Sequence, residues 1–178
     1  MNLWITMASS TNYIHPTAII YPNVVLGENN YIGAYCIIGS PAEHKTNWGK
    51  TNDIVVIGDN NVITGLVTID GGMENITYIG NRNFFMKGVH IGHDCHVWDD
   101  VIISCGAKVG GHCYVMEKVN IGLNAVIHQR QTIAEGCMIG MGSVITKKLI
   151  TKPYSKYAGN PAKYIGSNEG SNSPTRLS

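Results

Sequence analysis

The sequence has few charged residues and no long apolar run. Asp, Glu, Lys and Arg together make up 14% of the 178 residues, and the formal net charge is +1. This balance gives no argument for a nucleic-acid partner, and the low charged fraction favours extensive buried or oligomeric surface. No stretch is apolar over the length of a membrane span, and the start MNLWITMASS lacks the basic segment of a secretory leader. We therefore expect a single-domain cytoplasmic protein with no membrane span and no nucleic-acid partner.

The dominant pattern in the sequence is a period of six. From Ile79 to Ile145 every sixth residue is aliphatic or aromatic, and the same register runs earlier in the chain. A period of six fits neither a helix nor simple strand alternation and marks a repeat. The twenty positions are Ile14, Ile20, Leu26, Ile32, Ile38, Ile57, Ile63, Ile69, Ile79, Phe85, Ile91, Val97, Ile103, Val109, Val115, Ile121, Ile127, Ile133, Ile139 and Ile145.

The repeat predicts a coil with three sides. The fifth residue of most hexads is small or medium-sized, so the first and fifth residues both point inward if each hexad is a short strand and a corner. Three hexads then close a triangular coil of 18 residues, and coils stack by parallel strand pairing at about 4.8 Å. We predict an all-β parallel β-helix over residues 14–150, with loops at 40–53 and 70–78. Residues 1–13 are predicted as an N-terminal extension and residues 151–178 as a C-terminal extension, with a disordered tail that begins at Ser167.

The five cysteines do not form a disulfide or zinc pattern. Four of them occupy the small inward position of a hexad, namely Cys36, Cys95, Cys113 and Cys137. We expect them to fill the core as reduced side chains, as buried free cysteines commonly do.

Stacking brings residues that are 18 apart into one column, and four of the seven histidines then collect at one corner of the coil. His90 precedes this corner, and the loop at 70–78 leaves from it. Coil by coil, the corner contains Gly92–His93–Asp94, Gly110–Gly111–His112 and His128–Gln129–Arg130. Titratable groups beside glycines and an extruded loop predict a ligand or catalytic site. The column of Asp94, His112 and Arg130 is also compatible with a surface charge ladder.

The segment FFMKGVHIGHDCHV at residues 84–97 resembles the active-site stretch of the UDP-N-acetylglucosamine acyltransferases of lipid A synthesis, a hexapeptide-repeat family. Further segments similar to this family are IHPTAIIYPNVVLG, IDGGMENITYIGNRN, AVIHQ and AGNPAKYIGSN. The resemblance implies a left-handed β-helix and a homotrimer with parallel axes. Outward apolar residues 18 apart, such as Phe84 and Ile102, are consistent with a partner surface.

The resemblance also implies roles for the matching residues. His93 would be the general base, Asp94 would orient its imidazole, and the Gly111 N–H would help to bind the developing oxyanion. The residues implied to line the sugar and acyl pockets are His90, His112, His128 and Gln129. Those implied to approach the donor or the nucleotide are Asn160, Lys163 and Asn168. Met141 occupies a position where long-chain members have glycine, so the resemblance implies a shorter acyl groove.

These residue types suit acyl transfer from a thioester. Histidine supplies a base near neutral pH, and the tetrahedral oxyanion requires N–H donors. The cluster holds no serine or cysteine as an obvious nucleophile, which favours direct transfer over a covalent acyl-enzyme. We predict transfer of a short acyl group, such as acetyl, from acyl-CoA or an acyl-carrier protein. The acceptor is predicted to be an amino or hydroxyl group of a nucleotide-linked sugar, as in lipopolysaccharide synthesis, and no bound cofactor or metal is expected.

Three alternatives remain open. The first is acyl-carrier-protein-dependent O-acylation of UDP-N-acetylglucosamine. The second is a zinc-dependent hydratase similar to γ-type carbonic anhydrase, although His90, His93 and His96 are three residues apart and are expected to point in different directions. The third is a non-catalytic trimeric module.

Overall fold

The computed structural model describes residues 11–45 and 54–168 of the chain. Within these residues it contains 22 strands and no helix, and thus no helix that could cross a membrane. In chain order the strands are β1 (Tyr13–Ile14), β2 (Ile19–Ile20), β3 (Val24–Leu26), β4 (Tyr31–Ala34), β5 (Ile37–Ser40), β6 (Val55–Ile57), β7 (Val62–Gly65), β8 (Thr68–Asp70), β9 (Thr77–Ile79), β10 (Phe84–Phe85), β11 (His90–Ile91), β12 (His96–Val97), β13 (Ile102–Ile103), β14 (Lys108–Val109), β15 (Tyr114–Val115), β16 (Asn120–Ile121), β17 (Val126–Ile127), β18 (Thr132–Ile133), β19 (Met138–Ile139), β20 (Val144–Ile145), β21 (Ser155–Gly159) and β22 (Ala162–Ser167).

The strands form three sheets, which are the sides of a triangular coil. Sheet A has the order β1-β4-β7-β10-β13-β16-β19-β21-β22, sheet B the order β2-β5-β8-β11-β14-β17-β20, and sheet C the order β3-β6-β9-β12-β15-β18. Parallel pairing joins residues that are 18 apart wherever the repeat is unbroken, as between Ile91 and Val109. Each of β1–β20 contains one residue of the period-six series, so the predicted coil is confirmed.

The interior is a column of the periodic residues. From Ile32 to Ile145 every member of the series is at most 1% exposed. The four cysteines at inward positions are likewise buried and unpaired, which confirms their expected role as core side chains. Burial from Ile32 to Ile145 explains why the period is so strict there, because a polar residue at any of these positions would need a partner inside the coil.

Both insertions in the repeat leave from one edge of the coil. One connects β5 to β6 and the other connects β8 to β9, and in each case the chain passes from sheet B to sheet C. We call this edge the B–C corner. The insertions therefore leave the coil two coils and one coil before the connection that carries His93. Residues 46–53 of the predicted loop at 40–53 lie outside the described part of the chain.

The first coils use asparagine at the inward position between sheets C and A. Asn30, Asn61 and Asn83 are at most 1% exposed. The Asn61 amide nitrogen donates to Oδ1 of Asn30 at 3.0 Å and to the Gly80 carbonyl at 2.9 Å. Its Oδ1 accepts the Asn83 N–H at 2.9 Å. The asparagine ladder thus satisfies backbone groups at a corner, where regular strand pairing does not reach.

Replacing Asn61 with alanine is expected to lower the free energy of unfolding by about 2–4 kcal/mol, because the Gly80 carbonyl and the Asn83 N–H would be left buried without partners. Urea denaturation of Asn61→Ala measures this loss. Thr132→Ala is the control, since Thr132 is exposed on β18 and its side chain makes no hydrogen bond in the described part of the chain. Equal stabilities for the two variants would contradict the ladder's role.

The coil ends in a hairpin. β21 extends sheet A by pairing in parallel with β19, and β22 returns antiparallel to β21. The prediction of a disordered tail is wrong for its first two residues, because Ser167 ends β22 and the Asn168 N–H donates to the Tyr154 carbonyl at 2.6 Å. The remainder of that predicted tail, from residue 169, lies outside the described residues, as do residues 1–10 of the predicted N-terminal extension.

Candidate active site

The B–C corner holds three successive turns, between β11 and β12, β14 and β15, and β17 and β18. The third residue of each turn has a left-handed backbone, with φ of 58° at Asp94, 58° at His112 and 61° at Arg130. Asp100 and Lys118 adopt the same conformation at another corner. The backbone turn is therefore a property of the coil, and the side chains make this corner distinct.

The carboxylate of Asp94 organises the corner. It is 3% exposed, and its Oδ1 accepts the N–H groups of Met73, Glu74 and Asn75 at 2.9, 2.9 and 2.6 Å. These bonds fix the insertion that follows β8. Oδ2 accepts a hydrogen bond from Nδ1 of His93 at 2.6 Å. Burial acts to raise the pKa of Asp94, but the bonds from His93 and the backbone hold it below its ordinary value of 3.8.

His93 keeps one ring nitrogen unengaged. Because a carboxylate only accepts, Nδ1 carries the proton and Nε2 keeps its lone pair. Nε2 makes no hydrogen bond within residues 11–45 and 54–168. This is the tautomer that a general base requires, since Nε2 can accept a proton while Asp94 stabilises the imidazolium that forms.

His112 packs edge-on against His93. Their ring centroids are 4.9 Å apart at an interplanar angle of 85°, and Nε2 of His112 lies 3.5 Å from Oδ2 of Asp94. Burial lowers the pKa of His112, and the attraction of Asp94 does not offset this effect. His112 is therefore neutral at pH 7 and provides a polar wall without a fixed positive charge.

A second polar group lies on sheet B beside this corner. Nδ1 of His90 is 2.8 Å from Oγ1 of Thr68, and its Nε2 is 3.8 Å from Oδ2 of Asp70. Burial lowers the pKa of His90, so its contact with Asp70 is not an ion pair at neutral pH. Burial and the nearby Glu43 raise the pKa of Asp70 to about 6. His90 thus supports the corner from the adjacent strand.

Residues of the corner and of both insertions line a solvent-open pocket of about 360 Å³. Its lining residues are His44, Met73, Glu74, His93, His112, Gln129 and Arg130. Three of these, His93, His112 and Gln129, were predicted as site residues. The predicted residue Asp94 does not line the pocket itself and lies behind His93. The insertions contribute His44, Met73 and Glu74, which no period could place, whereas Arg130 stands in the 18-residue register.

Gly111 lies directly against His93. A Cβ at Gly111 would be 2.8 Å from Nε2 of His93, so no side chain fits there without displacing the imidazole. The Gly111 N–H donates no hydrogen bond to the described part of the chain. A free backbone donor therefore lies close to the free nitrogen of His93, as a base and an oxyanion donor must.

Two other predicted residues do not line the pocket. His128 belongs to the B–C corner, but it is exposed and its Nδ1 donates to the Gln129 carbonyl at 2.8 Å. Met141 lies between β19 and β20, at the corner joining sheets A and B, and is 74% exposed. In a single chain, Met141 therefore lies on a different edge from His93.

The C-terminal predicted residues also lie away from this corner. Asn160 and Lys163 belong to the terminal hairpin, at its turn and in β22. The Asn168 amide nitrogen donates to the Gly136 carbonyl at 2.8 Å, between β18 and β19. In a single chain these three residues do not meet His93.

No protein-family profile matches the chain. The acyl-[acyl-carrier-protein]–UDP-N-acetylglucosamine O-acyltransferase of Rickettsia canadensis is 34% identical to it, over 48% of this chain and 47% of that protein. The crystal structure of UDP-N-acetylglucosamine O-acyltransferase from Moraxella catarrhalis is 31% identical, with a TM-score of 0.69 over 90% of this chain and 72% of that one. The chain belongs to the hexapeptide-repeat acyltransferases.

The likeness within the hexapeptide-repeat acyltransferases covers the whole coil. The UDP-N-acetylglucosamine acyltransferase of Bacteroides fragilis has a TM-score of 0.76 at 27% identity, over 92% of this chain and 75% of that one. This agreement confirms the predicted left-handed parallel β-helix. The chain spans about half the length of the curated relatives it matches.

One group of residues in the described part of this hexapeptide-repeat acyltransferase could hold a metal ion. The ligand atoms of His93, Asp94 and His112 lie within 4.8 Å of one another. Both carboxylate oxygens of Asp94 are already engaged, however, and a cation on Oδ2 would compete with the proton on Nδ1 of His93. The donor set therefore suits orientation of an imidazole better than coordination of zinc.

The other metal alternative required His96 to join His90 and His93. His96 instead lies on sheet C, between the rings of Tyr78 and Tyr114, at centroid distances of 6.0 and 5.1 Å. The three histidines therefore do not converge as zinc ligands.

Substituting Gly111 with alanine is expected to reduce kcat at least about tenfold, because the new methyl group would displace Nε2 of His93 and catalysis is sensitive to shifts of about 1 Å. Steady-state kinetics of Gly111→Ala would reveal the loss. Gly142→Ala is the control for replacing a corner glycine, because nothing lies within 4 Å of a Cβ at that position. Its φ of 64° means that the control also includes the backbone strain of such a replacement. Full activity in Gly111→Ala would show that the close approach is not needed.

Proposed function

We propose that this chain transfers an acyl group from a phosphopantetheine thioester to a hydroxyl or amino group of a UDP-N-acetylglucosamine-type sugar nucleotide. The observation that carries the proposal is the Asp94–His93 pair, whose Nδ1 is held at 2.6 Å from the carboxylate while Nε2 stays free beside the pocket. The names of the relatives support the class of reaction, since they are UDP-N-acetylglucosamine acyltransferases.

In the proposed reaction, Nε2 of His93 takes the proton from the acceptor oxygen or nitrogen as that atom attacks the thioester carbonyl. A carbon–oxygen or carbon–nitrogen bond forms, and the carbonyl oxygen becomes an oxyanion near the Gly111 N–H. The intermediate collapses with cleavage of the carbon–sulfur bond, and the departing thiolate recovers the proton from His93. Asp94 stabilises the imidazolium between these steps.

Direct transfer is supported by the composition of the pocket. Among the residues that the structure describes, those that line the pocket include no serine, threonine, cysteine or lysine. The nearby cysteines, Cys95 and Cys113, have no exposed surface and point into the core, where their thiols donate to the carbonyls of Gly110 and His128. The proposal therefore assigns no covalent acyl-enzyme.

We also propose that the protein is a homotrimer that accepts a short acyl group. Phe84, Ile102 and Met138 lie in one outward column of sheet A and are 36%, 39% and 41% exposed, which supports a covered face. Met141, at a position where long-chain members have glycine, supports a short acyl group. Sedimentation equilibrium would then give three times the chain mass of 19.3 kDa.

Mass spectrometry of reaction mixtures tests the activity. UDP-N-acetylglucosamine and its 3-amino analogue are incubated with acetyl-CoA, with a hydroxyacyl-CoA and with the matching acyl-carrier-protein thioesters. Acylated sugar nucleotide that is lost in His93→Ala supports the proposal, and the donor arms identify the carrier and the chain length. If no donor gives an acylated product and metal analysis shows stoichiometric zinc, the proposed acyl transfer is wrong and the hydratase alternative is favoured.

A further inference from the structure

Arg130 has no acidic partner among the residues that the structure describes around the pocket. It lines the cavity with His93 and His112, and its guanidinium forms no ion pair or hydrogen bond within residues 11–45 and 54–168. The other arginine in these residues, Arg82, is bound to Asp100 at 2.8 Å and to Asp99 at 3.1 Å. Surface arginines commonly find such partners, so the free guanidinium at the pocket is a distinguishing feature of this corner.

Two carboxylates of the described residues, those of Glu74 and Asp94, lie near Arg130, and neither pairs with it. Glu74 is the one acid among the described lining residues; it lies on the insertion that follows β8 and makes no ion pair with Arg130. The carboxylate of Asp94 is buried, and the hydrogen bonds from the insertion and from His93 engage both of its oxygens. The remaining titratable groups that line the pocket are His44, His93 and His112. An arginine among imidazoles is a site for an anion, because its planar fork donates two parallel hydrogen bonds to a carboxylate or phosphate.

The register sets how far that anion lies from the reacting atom. Arg130 stands two coils beyond Asp94 in the same column, a rise of roughly 10 Å at the spacing of parallel strands. A long side chain that lines the same pocket of about 360 Å³ reaches back toward His93. One small ligand can therefore place an anionic group on Arg130 and its reacting atom at Nε2 of His93. The distance between these two points is about that across one sugar ring.

We propose that Arg130 is a specificity-determining residue that binds an anionic group of the acceptor, adjacent to the sugar ring that is acylated. This inference rests on the proposed acyl transfer. The shared chemistry is an anionic oxygen group, supplied either by the diphosphate at the anomeric carbon or by a carboxylate on the sugar ring. The donor's phosphates are excluded because the pantetheine arm holds them far from the reacting carbonyl.

The test compares Arg130→Met, Arg130→Lys and wild type on three acceptors with one acyl donor. The acceptors are UDP-N-acetylglucosamine, its uronic acid counterpart and the neutral methyl glycoside of N-acetylglucosamine. Loss of a charge-assisted bidentate contact is expected to raise KM for anionic acceptors in Arg130→Met about 10- to 100-fold, with kcat nearly unchanged. Arg130→Lys should recover part of the loss, and the neutral glycoside should be unaffected. Arg82→Gln is the control variant, which removes an arginine away from the pocket, and it should retain the wild-type KM for all three acceptors.

The arms identify the source of the anion. An equal rise in KM for both nucleotide sugars assigns Arg130 to the diphosphate, whereas a larger rise for the uronic acid assigns it to the carboxylate. Unchanged KM values in Arg130→Met would overturn the inference while leaving acyl transfer intact. Calorimetric binding of the same ligands without donor gives a readout that does not depend on turnover. Weaker binding by Arg130→Met supports the inference even if the acyl donor is misassigned, and equal binding by Arg130→Met and wild type overturns it.

Discussion

His93→Ala is expected to lower kcat by about 10²–10⁴-fold, the range that general acid–base catalysis contributes. The buried carboxylate of Asp94 fixes the His93 ring through Nδ1, while Nε2 of the same ring has no hydrogen-bond partner among the described residues. KM for the acceptor should change much less, because the loss falls on the step in which the proton moves. Steady-state and single-turnover kinetics on the same donor and acceptor would measure both quantities.

The control for this experiment is His15→Ala. His15 is a partly exposed histidine of the first coil, and its Nδ1 contacts Oγ1 of Thr17 at 2.9 Å. Its removal should leave the kinetics unchanged, and thermal unfolding should show that both variants are folded. Retention of full turnover in His93→Ala would remove the base from the mechanism and would favour a role for this corner in binding alone.

Asp94→Asn is expected to reduce kcat by about 10³–10⁴-fold while leaving the fold intact. An amide can still accept the insertion's N–H groups through Oδ1, but its NH₂ must then face Nδ1 of His93. Nδ1 would become an acceptor, the proton would move to Nε2, and the base would be lost through the wrong tautomer. In a Ser-His-Asp triad the equivalent change costs about 10⁴-fold in kcat.

Asp94→Ala separates orientation of the imidazole from anchoring of the loop. This variant also removes the acceptor for Met73, Glu74 and Asn75, so it should lose stability as well as activity, whereas Asp94→Asn should lose activity alone. Because the folded-state pKa of Asp94 lies below its ordinary 3.8, the stability it contributes is present above about pH 4 and is lost as the pH falls through the folded value. If Asp94→Asn kept wild-type kcat, the tautomer would not be controlled by Asp94.

The 18-residue register accounts for the part of the site that the sequence could place. It puts His93, Gly111 and Gln129 in one column and Asp94, His112 and Arg130 in the next, and the structure stacks them in that order. The same register also explains why Met141 is distant. It follows His93 by 48 residues, which is two full coils and two further sides, so it belongs to another edge.

The register could not place residues of the insertions, because these segments break the period. Glu74 reaches the pocket through a loop path that Asp94 fixes with three backbone hydrogen bonds, and no spacing in the sequence encodes such bonds. His44 reaches it from the other insertion, which also lies outside the period. The asparagine ladder was hidden for a related reason. Asn30, Asn61 and Asn83 fit the fifth position of a hexad by size. The sequence pattern does not reveal their hydrogen bonds, because these bonds form only when the neighbouring coils are stacked.

The central claim is that Asp94 holds His93 in the tautomer with the proton on Nδ1, leaving Nε2 as the base of an acyl transfer. Nitrogen-15 NMR of the His93 imidazole tests this most directly, because protonated and unprotonated ring nitrogens have well-separated shifts. We predict a protonated Nδ1 and an unprotonated Nε2 in the wild type, and the reverse in Asp94→Asn. A wild-type His93 with its proton on Nε2 would contradict the account.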